Sequence, residues 1–339
     1  MKNSPIISIK PLGFMWPVSN PFLFCAHHLD DFPAGNEEMG PEKSLLRGRD
    51  IGQDFTIKDG WRMYHGDTIP GFPAHPHRGF ETVTVVSQGL VDHADSHGQA
   101  GRYGGGDVQW MTAGAGLQHS EMFPLLNQES RNPTELFQVW LNLPKVKKFV
   151  EPHFKMLWVE DIPLVRIQDE NGKSVEVNVI AGSVGNVTAL DPAPDSWAAD
   201  SENEVAVWMI KMEAGVQWTI PAASEQANRT LYFYLGSYVK IDGEEISVEK
   251  AIQVKANQEL IAENGNTDGH FLLLQGKPIN EPVVQYGPFV MNTQAEIQQA
   301  MYDYQQTEFG GWPWSRRDQV HPREKDRFAR HADGTEEIR

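Results

Sequence analysis

Cys25 is the only cysteine among 339 residues. Its isolation excludes an internal disulfide and a thiolate zinc site, as a reducing compartment would allow. Long apolar runs are missing as well. None reaches the roughly 18 residues that a membrane helix needs, and the opening stretch MKNSPIISIKPLGF has no signal-peptide core. A soluble cytoplasmic protein is therefore expected. Positive charge is in short supply, with 29 Lys and Arg against 46 Asp and Glu and a formal charge of −17. Such a field repels polyanions, so neither direct nucleic-acid binding nor a membrane partner is expected. Histidine is nearly absent from the second half, where His270 stands alone between positions 154 and 320.

The chain does contain 30 Gly and 22 Pro, scattered rather than clustered. They punctuate short apolar stretches that alternate or are β-branched, a pattern of all-β sandwiches and barrels. Residues 82–86, 107–111, 136–143, 174–181, 205–212, 231–235, 238–241, 251–254 and 271–274 read as strands. Residues 294–304 (QAEIQQAMYDY) read as a helix, with Asn292-Thr293 as its cap and Ile297, Met301 and Tyr304 on one face. The segments HHLDDFPAGNEEMGP (27–41) and LDPAPDSWAADSENE (190–204) are expected to be polar loops, the second of them exposed. Pro144 and the lysines after it suggest a division into residues 1–145, 146–305 and a tail, 306–339, that could dock or stay loose.

The richest stretch is 73–122. His75 with His77, and His119 with Glu121, are pairs of metal-competent side chains separated by one residue. On an extended strand alternate side chains share a face, so each pair would aim both members at one point. Two such strands facing each other would offer an ion three imidazoles and a carboxylate, a set suited to Fe, Mn, Ni, Cu or Zn. Four protein ligands leave room on a five- or six-coordinate ion for substrate or O2. Other polar groups nearby invite weighing. Glu81 is read as a supporting group beside Arg78. His27-His28 with Asp30-Asp31 is read as loop, because adjacent strand residues face opposite ways. His93, Asp95 and His97 share strand parity, which would allow a pocket wall, but a solvated hairpin is expected. Phe72, Trp61, Met63, Trp110 and Met111 could line an aromatic mouth or simply fill the core.

Three separated segments carry a family likeness: HPHRGFETVT (75–84), GGGDVQWMTAGAGLQHSEM (104–122) and EPVVQYGPFVMNT (281–293). Together they resemble the pirin family of the cupin superfamily, from about residue 70 to about residue 300. The resemblance implies two β-sandwich cupin barrels packed side by side with a few short helices. It places iron in the N-terminal barrel, held by His75, His77, His119 and Glu121, and no metal in the C-terminal one. It also implies quercetin 2,3-dioxygenase activity, in which O2 opens a flavonol-like aromatic substrate and Glu121 both ligates iron and takes the phenolic proton. The same resemblance admits an iron-dependent, non-enzymatic regulator with a protein partner, a transcription factor or a metabolic enzyme. A cupin that binds metal without using it in redox chemistry is a third reading. The start of the chain through about residue 60, the acidic loop near 195 and the tail depart from shorter pirins and inherit nothing from the likeness.

Overall fold

The computed structural model describes residues 4–339, so the first three residues of the opening stretch lie outside it. The chain forms two compact units, and neither is one contiguous stretch. The first holds the chain up to Ala26, Val139–Asn142 and Glu160–Asn280, and the second holds His27–Gln138, Leu143–Val159 and Glu281–Arg339. This division differs from the boundaries at 145 and 305 read from the sequence, because strand pairing joins residues far apart in the chain. Ile6–Pro11 pairs with Lys250–Lys255, and Phe328–Arg330 pairs with Ala100–Gly104.

The first unit is a sandwich of two antiparallel sheets. Seven strands run in the order Ile6–Pro11, Lys250–Lys255, Asn228–Leu235, Gly269–Gly276, Ala206–Met212, Ser174–Ala181 and Leu164–Gln168. Four more run in the order Gln217–Ile220, Leu260–Asn264, Tyr238–Ile241 and Glu244–Ser247. Alternation sends Val175, Val177 and Val179, then Trp208 and Ile210, then Leu231 and Phe233 into one core with Trp218, Val239 and Leu260 from the facing sheet.

The second unit holds most of a five-stranded sheet in the order His153–Leu157, Val108–Thr112, Phe80–Gln88, Asn132–Asn142 and Phe22–Phe32, of which Val139–Asn142 and residues 22–26 are counted with the first unit. Its other sheet has six strands, Glu336–Ile338, Phe328–Arg330, Ala100–Gly104, Leu90–Asp95, Leu117–Met122 and Gly71–His77. The regular structure of both units is thus almost wholly β-strand, as expected. The helix spans Gln294–Thr307; the Thr293 side chain caps it by accepting from the Glu296 N–H, and Ile297 and Ala300 are buried. No helix among the described residues is long and apolar enough to cross a membrane.

Two expected loops are more ordered than composition suggests, and the tail takes the docked of its two expected states. Residues 27–32 continue a strand that begins at Phe22, with His28, Asp30 and Phe32 buried. Asp30 can face inward because Arg62 pairs with it at 3.0 Å and the Tyr64 hydroxyl donates to it at 2.5 Å. Residues 190–204 contain two short 3-10 turns, Trp197–Ala199 and Ser201–Asn203, capped by Ser196 and Asp200, with Ala193 and Ser196 buried. The tail docks: Phe328–Arg330 and Glu336–Ile338 extend the six-stranded sheet, and Trp314 Nε1 donates to the Asp95 carbonyl at 2.7 Å.

Candidate metal centre

The strands Gly71–His77 and Leu117–Met122 pair antiparallel with His75 opposite His119 and Phe72 opposite Glu121. The register shifts between Phe72 and His75, at Pro73, which has no N–H to give the ladder. There the Ala74 N–H leaves the sheet and donates to the Arg317 carbonyl at 2.8 Å. Ligand-competent nitrogens of His75, His77 and His119 then lie within 4.8 Å of one another, the one such group found among the described residues. His77 and His119 are buried, whereas His75 is half-buried and meets solvent.

Hydrogen bonding fixes what these rings can offer. His75 Nδ1 lies 2.9 Å from the Pro73 carbonyl, which can only accept, so Nδ1 carries the proton and Nε2 keeps its lone pair. Neither ring nitrogen of His119 has a hydrogen-bond partner, although Nε2 is 3.7 Å from Glu121 Oε2. Burial lowers the His75 pKa to about 4 and, with the neighbouring imidazoles, pushes His77 and His119 well below 6.5. All three are neutral at pH 7, the state in which imidazole binds metal. A buried imidazole with two unpaired nitrogens is costly, and a cation accepting one lone pair relieves part of that cost. The donor set therefore fits a first-row divalent ion.

Glu121 stands beside this cluster rather than within the 4.8 Å set. Its Oε1 accepts from the Thr84 hydroxyl at 3.0 Å and its Oε2 from Gln138 Nε2 at 2.9 Å. Burial raises its pKa, opposed by His93, Thr84 and Gln138. The strand Leu90–Asp95 backs the site, with His93 opposite Glu121 and Asp95 opposite His119. The hairpin expected to be solvated is therefore interior: His93 and Asp95 are fully buried and only His97 is exposed. His93 stacks on Phe154 at 5.2 Å, and its Nε2 is 3.5 Å from Asp95 Oδ2. Shared parity was the available signal for His93 and Asp95. Nothing in the sequence marks Thr84 or Gln138, which are ordinary alternating positions until Glu121 is placed between them.

The other candidates fall elsewhere. Glu81 does not pair with Arg78. It accepts from Trp110 Nε1 at 3.2 Å and Thr112 Oγ1 at 2.7 Å. Glu81 and Thr84 differ by an odd number of positions on one strand, so they point to opposite faces, and Thr84 has the face of Glu121. Arg78 pairs instead with Asp303. His27 bonds Glu135 at 2.8 Å, and His28 is buried among Tyr64, Phe72 and Phe123. Trp61, Met63, Trp110 and Met111 are core. Phe72, half-buried with its ring 6.3 Å from His75, is the one of the five beside the histidines.

Comparison with known proteins agrees with this architecture. Family models described as Pirin and as the Pirin C-terminal cupin domain match residues 42–141 and 207–310. Pirin-1 of Arabidopsis thaliana is 38% identical over 71% of this chain and 78% of that protein. A "Putative quercetin 2,3-dioxygenase" of Pseudomonas aeruginosa is 34% identical over 70% of this chain and 79% of its own length. The crystal structure of quercetin 2,3-dioxygenase from Acinetobacter baumannii superposes with a TM-score of 0.70 at 28% identity, covering 90% of this chain and 98% of that one. With both family segments matched and relatives above 30% identity along most of its length, the chain belongs to the pirin family and has the two-cupin fold.

Proposed function

We propose that the protein is a metal-dependent dioxygenase, with ferrous iron as its metal, that opens a flavonol-like substrate with O2. The observation that carries this reading is the convergence of His75, His77 and His119, neutral and within 4.8 Å, beside a buried carboxylate. Relatives named for quercetin 2,3-dioxygenase support the substrate class.

In this reading the three imidazoles and Glu121 hold the ion. Iron bound there supplies a Lewis acid able to exchange electrons between an enolate-type oxygen donor and O2. The protein residues do the rest. Glu121, made more basic by burial, accepts the proton of the substrate's 3-hydroxyl at one carboxylate oxygen. Thr84 and Gln138 hold that carboxylate in place from either side. His93, stacked on Phe154, and Asp95 close the interior side of the site against water. The half-buried edge at His75 and Phe72 is where an aromatic ring would enter.

The test is anaerobic iron loading followed by O2 and quercetin, with flavonol absorbance and headspace carbon monoxide both followed. Loss of substrate with matching carbon monoxide is expected. Intact quercetin at full iron occupancy would overturn the proposal and leave an iron-dependent binding or regulatory protein. Metal analysis of protein isolated from its own source cells tests iron against Mn, Ni, Cu and Zn.

A further inference from the structure

Four arginines of the described chain are buried, and three of them meet a carboxylate. Arg62 pairs with Asp30, Arg78 with Asp303 and Arg102 with Asp92. Arg229, 2% exposed, is the fourth and enters no ion pair among the described residues. Its Nε donates to Gln275 Oε1 at 2.7 Å and its Nη1 to the Pro221 carbonyl at 2.8 Å. A guanidinium has five N–H bonds, so these two contacts leave three without a protein acceptor. A largely buried cation without an ion-pair partner costs free energy, and Arg229 Nη2, which has no protein acceptor and is not enclosed, opens onto the adjoining space, where an anion could reach it.

Arg229 lines a cavity of about 430 Å³ in the first unit. Strand parity places it at one end of the sandwich core: Arg229 shares its face with Leu231 and Phe233, and Gln275 shares its face with Phe271 and Leu273. Arg229 and Gln275 stand directly opposite each other in the ladder, as do Gln275 and Ala206. The remaining wall mixes polar and apolar surface in nearly equal parts; the apolar part includes Leu190, Val205 and Trp208, whose indole N–H also lacks a hydrogen-bond partner. Two acids border the same space. Glu204 is already engaged by Ser224 and, at 3.5 Å, by Lys277, and Asp191 sits at the exposed rim. These acids would repel a multiply charged ligand. The wall from 190 to 204 belongs to the acidic segment that the sequence suggested was only a surface loop.

We infer that this cavity is a second ligand site, separate from the metal centre, which binds a small monocarboxylate with a compact apolar body, its carboxylate on Arg229. The carboxylate takes the two parallel N–H bonds a guanidinium offers and the apolar body replaces water against Leu190, Val205 and Trp208.

The test is calorimetric titration of chelator-treated, full-length protein with sodium benzoate, 3-methylbutanoate, and benzyl alcohol as the uncharged analogue. One equivalent of at least one carboxylate should bind, and benzyl alcohol should bind about tenfold more weakly or worse. Arg229→Gln should weaken carboxylate binding by about tenfold or more. Ala222→Trp, at an exposed position on the cavity wall, should do the same by filling the space, and it decides the matter if Arg229→Gln does not fold. The inference is overturned if neither carboxylate binds wild type, if benzyl alcohol binds as well as benzoate, or if a folded variant binds unchanged.

Discussion

Arg78 Nη1 and Asp303 Oδ2 meet at 2.7 Å, tying the residue after His77 to the helix Gln294–Thr307 across 225 positions of sequence. The same guanidinium donates through Nε to the Ala115 carbonyl at 2.6 Å and lies over the Phe309 ring. Asp303→Asn should therefore cost about 1–3 kcal/mol of stability and loosen His77, read as a lower melting temperature and weaker metal retention. The Arg78 hydrogen bond holds the Asp303 carboxyl below its usual 3.8. Its contribution is present above about pH 4 and is lost as pH falls through the folded value. A wild-type melting temperature in Asp303→Asn would show that the pair stabilises nothing.

At the metal centre, His77→Ala or His119→Ala should abolish stoichiometric metal, measured by elemental analysis. Glu121→Gln should keep much of the metal and lose turnover, since it removes the proton acceptor and leaves the imidazoles. Gln138→Leu should lower turnover by about 10–100-fold through misplacing Glu121. Full turnover in Glu121→Gln would end the dual role given to that residue.

Glu81 offers the opposite expectation. It is fully buried and held by Trp110 and Thr112 on the face away from Glu121. Glu81→Gln should leave metal content unchanged and cost about 1–3 kcal/mol in urea unfolding. Metal loss in a folded Glu81→Gln would instead make it a ligand.

Acid should weaken the metal-free protein early. Burial, then Arg62 and His27, lower the His28 pKa from 6.5 to about 3, while the unfolded chain keeps the ordinary value. The unfolded state thus takes up a proton that the folded state refuses, so stability falls as pH drops from 6.5 towards 3. The slope is about 1.4 kcal/mol per pH unit for this one group. His28→Leu should be about 2 kcal/mol less sensitive between pH 7 and 5, as urea unfolding at the two pH values would show. Equal sensitivity in the variant would place the acid response elsewhere.

The tail is anchored by Arg102, which pairs with Asp92 at 2.7 Å and donates to the carbonyls of His321, Pro322 and Lys325. Arg102→Met leaves Asp92 buried and unpaired and should cost about 3–5 kcal/mol. Residues after Gly310 should then become sensitive to limited proteolysis. Tail resistance equal to wild type would show that the tail's other contacts, among them the strand Phe328–Arg330 and the Trp314 bond to Asp95, hold it without Arg102.

The sequence by itself determined many of the strands, the helix Gln294–Thr307 and the two histidine-bearing pairs, because alternation and i, i+4 spacing are local properties that survive into any fold built from them. It also showed that residues 154–320, with His270 alone, carry no second set of three histidines. Only the tertiary structure decided which buried polar groups are satisfied. Asp30 faces inward because Arg62 arrives from 32 residues away, Glu121 is flanked by Thr84 and Gln138 from two other strands, and His93 turns inward rather than into solvent. It likewise decided that the C-terminal tail completes a sheet begun by residues near 100, and that Arg229 is left without a carboxylate. Each of these depends on partners distant in sequence, and the cost of burying a polar group is set by whether such a partner comes within hydrogen-bonding reach.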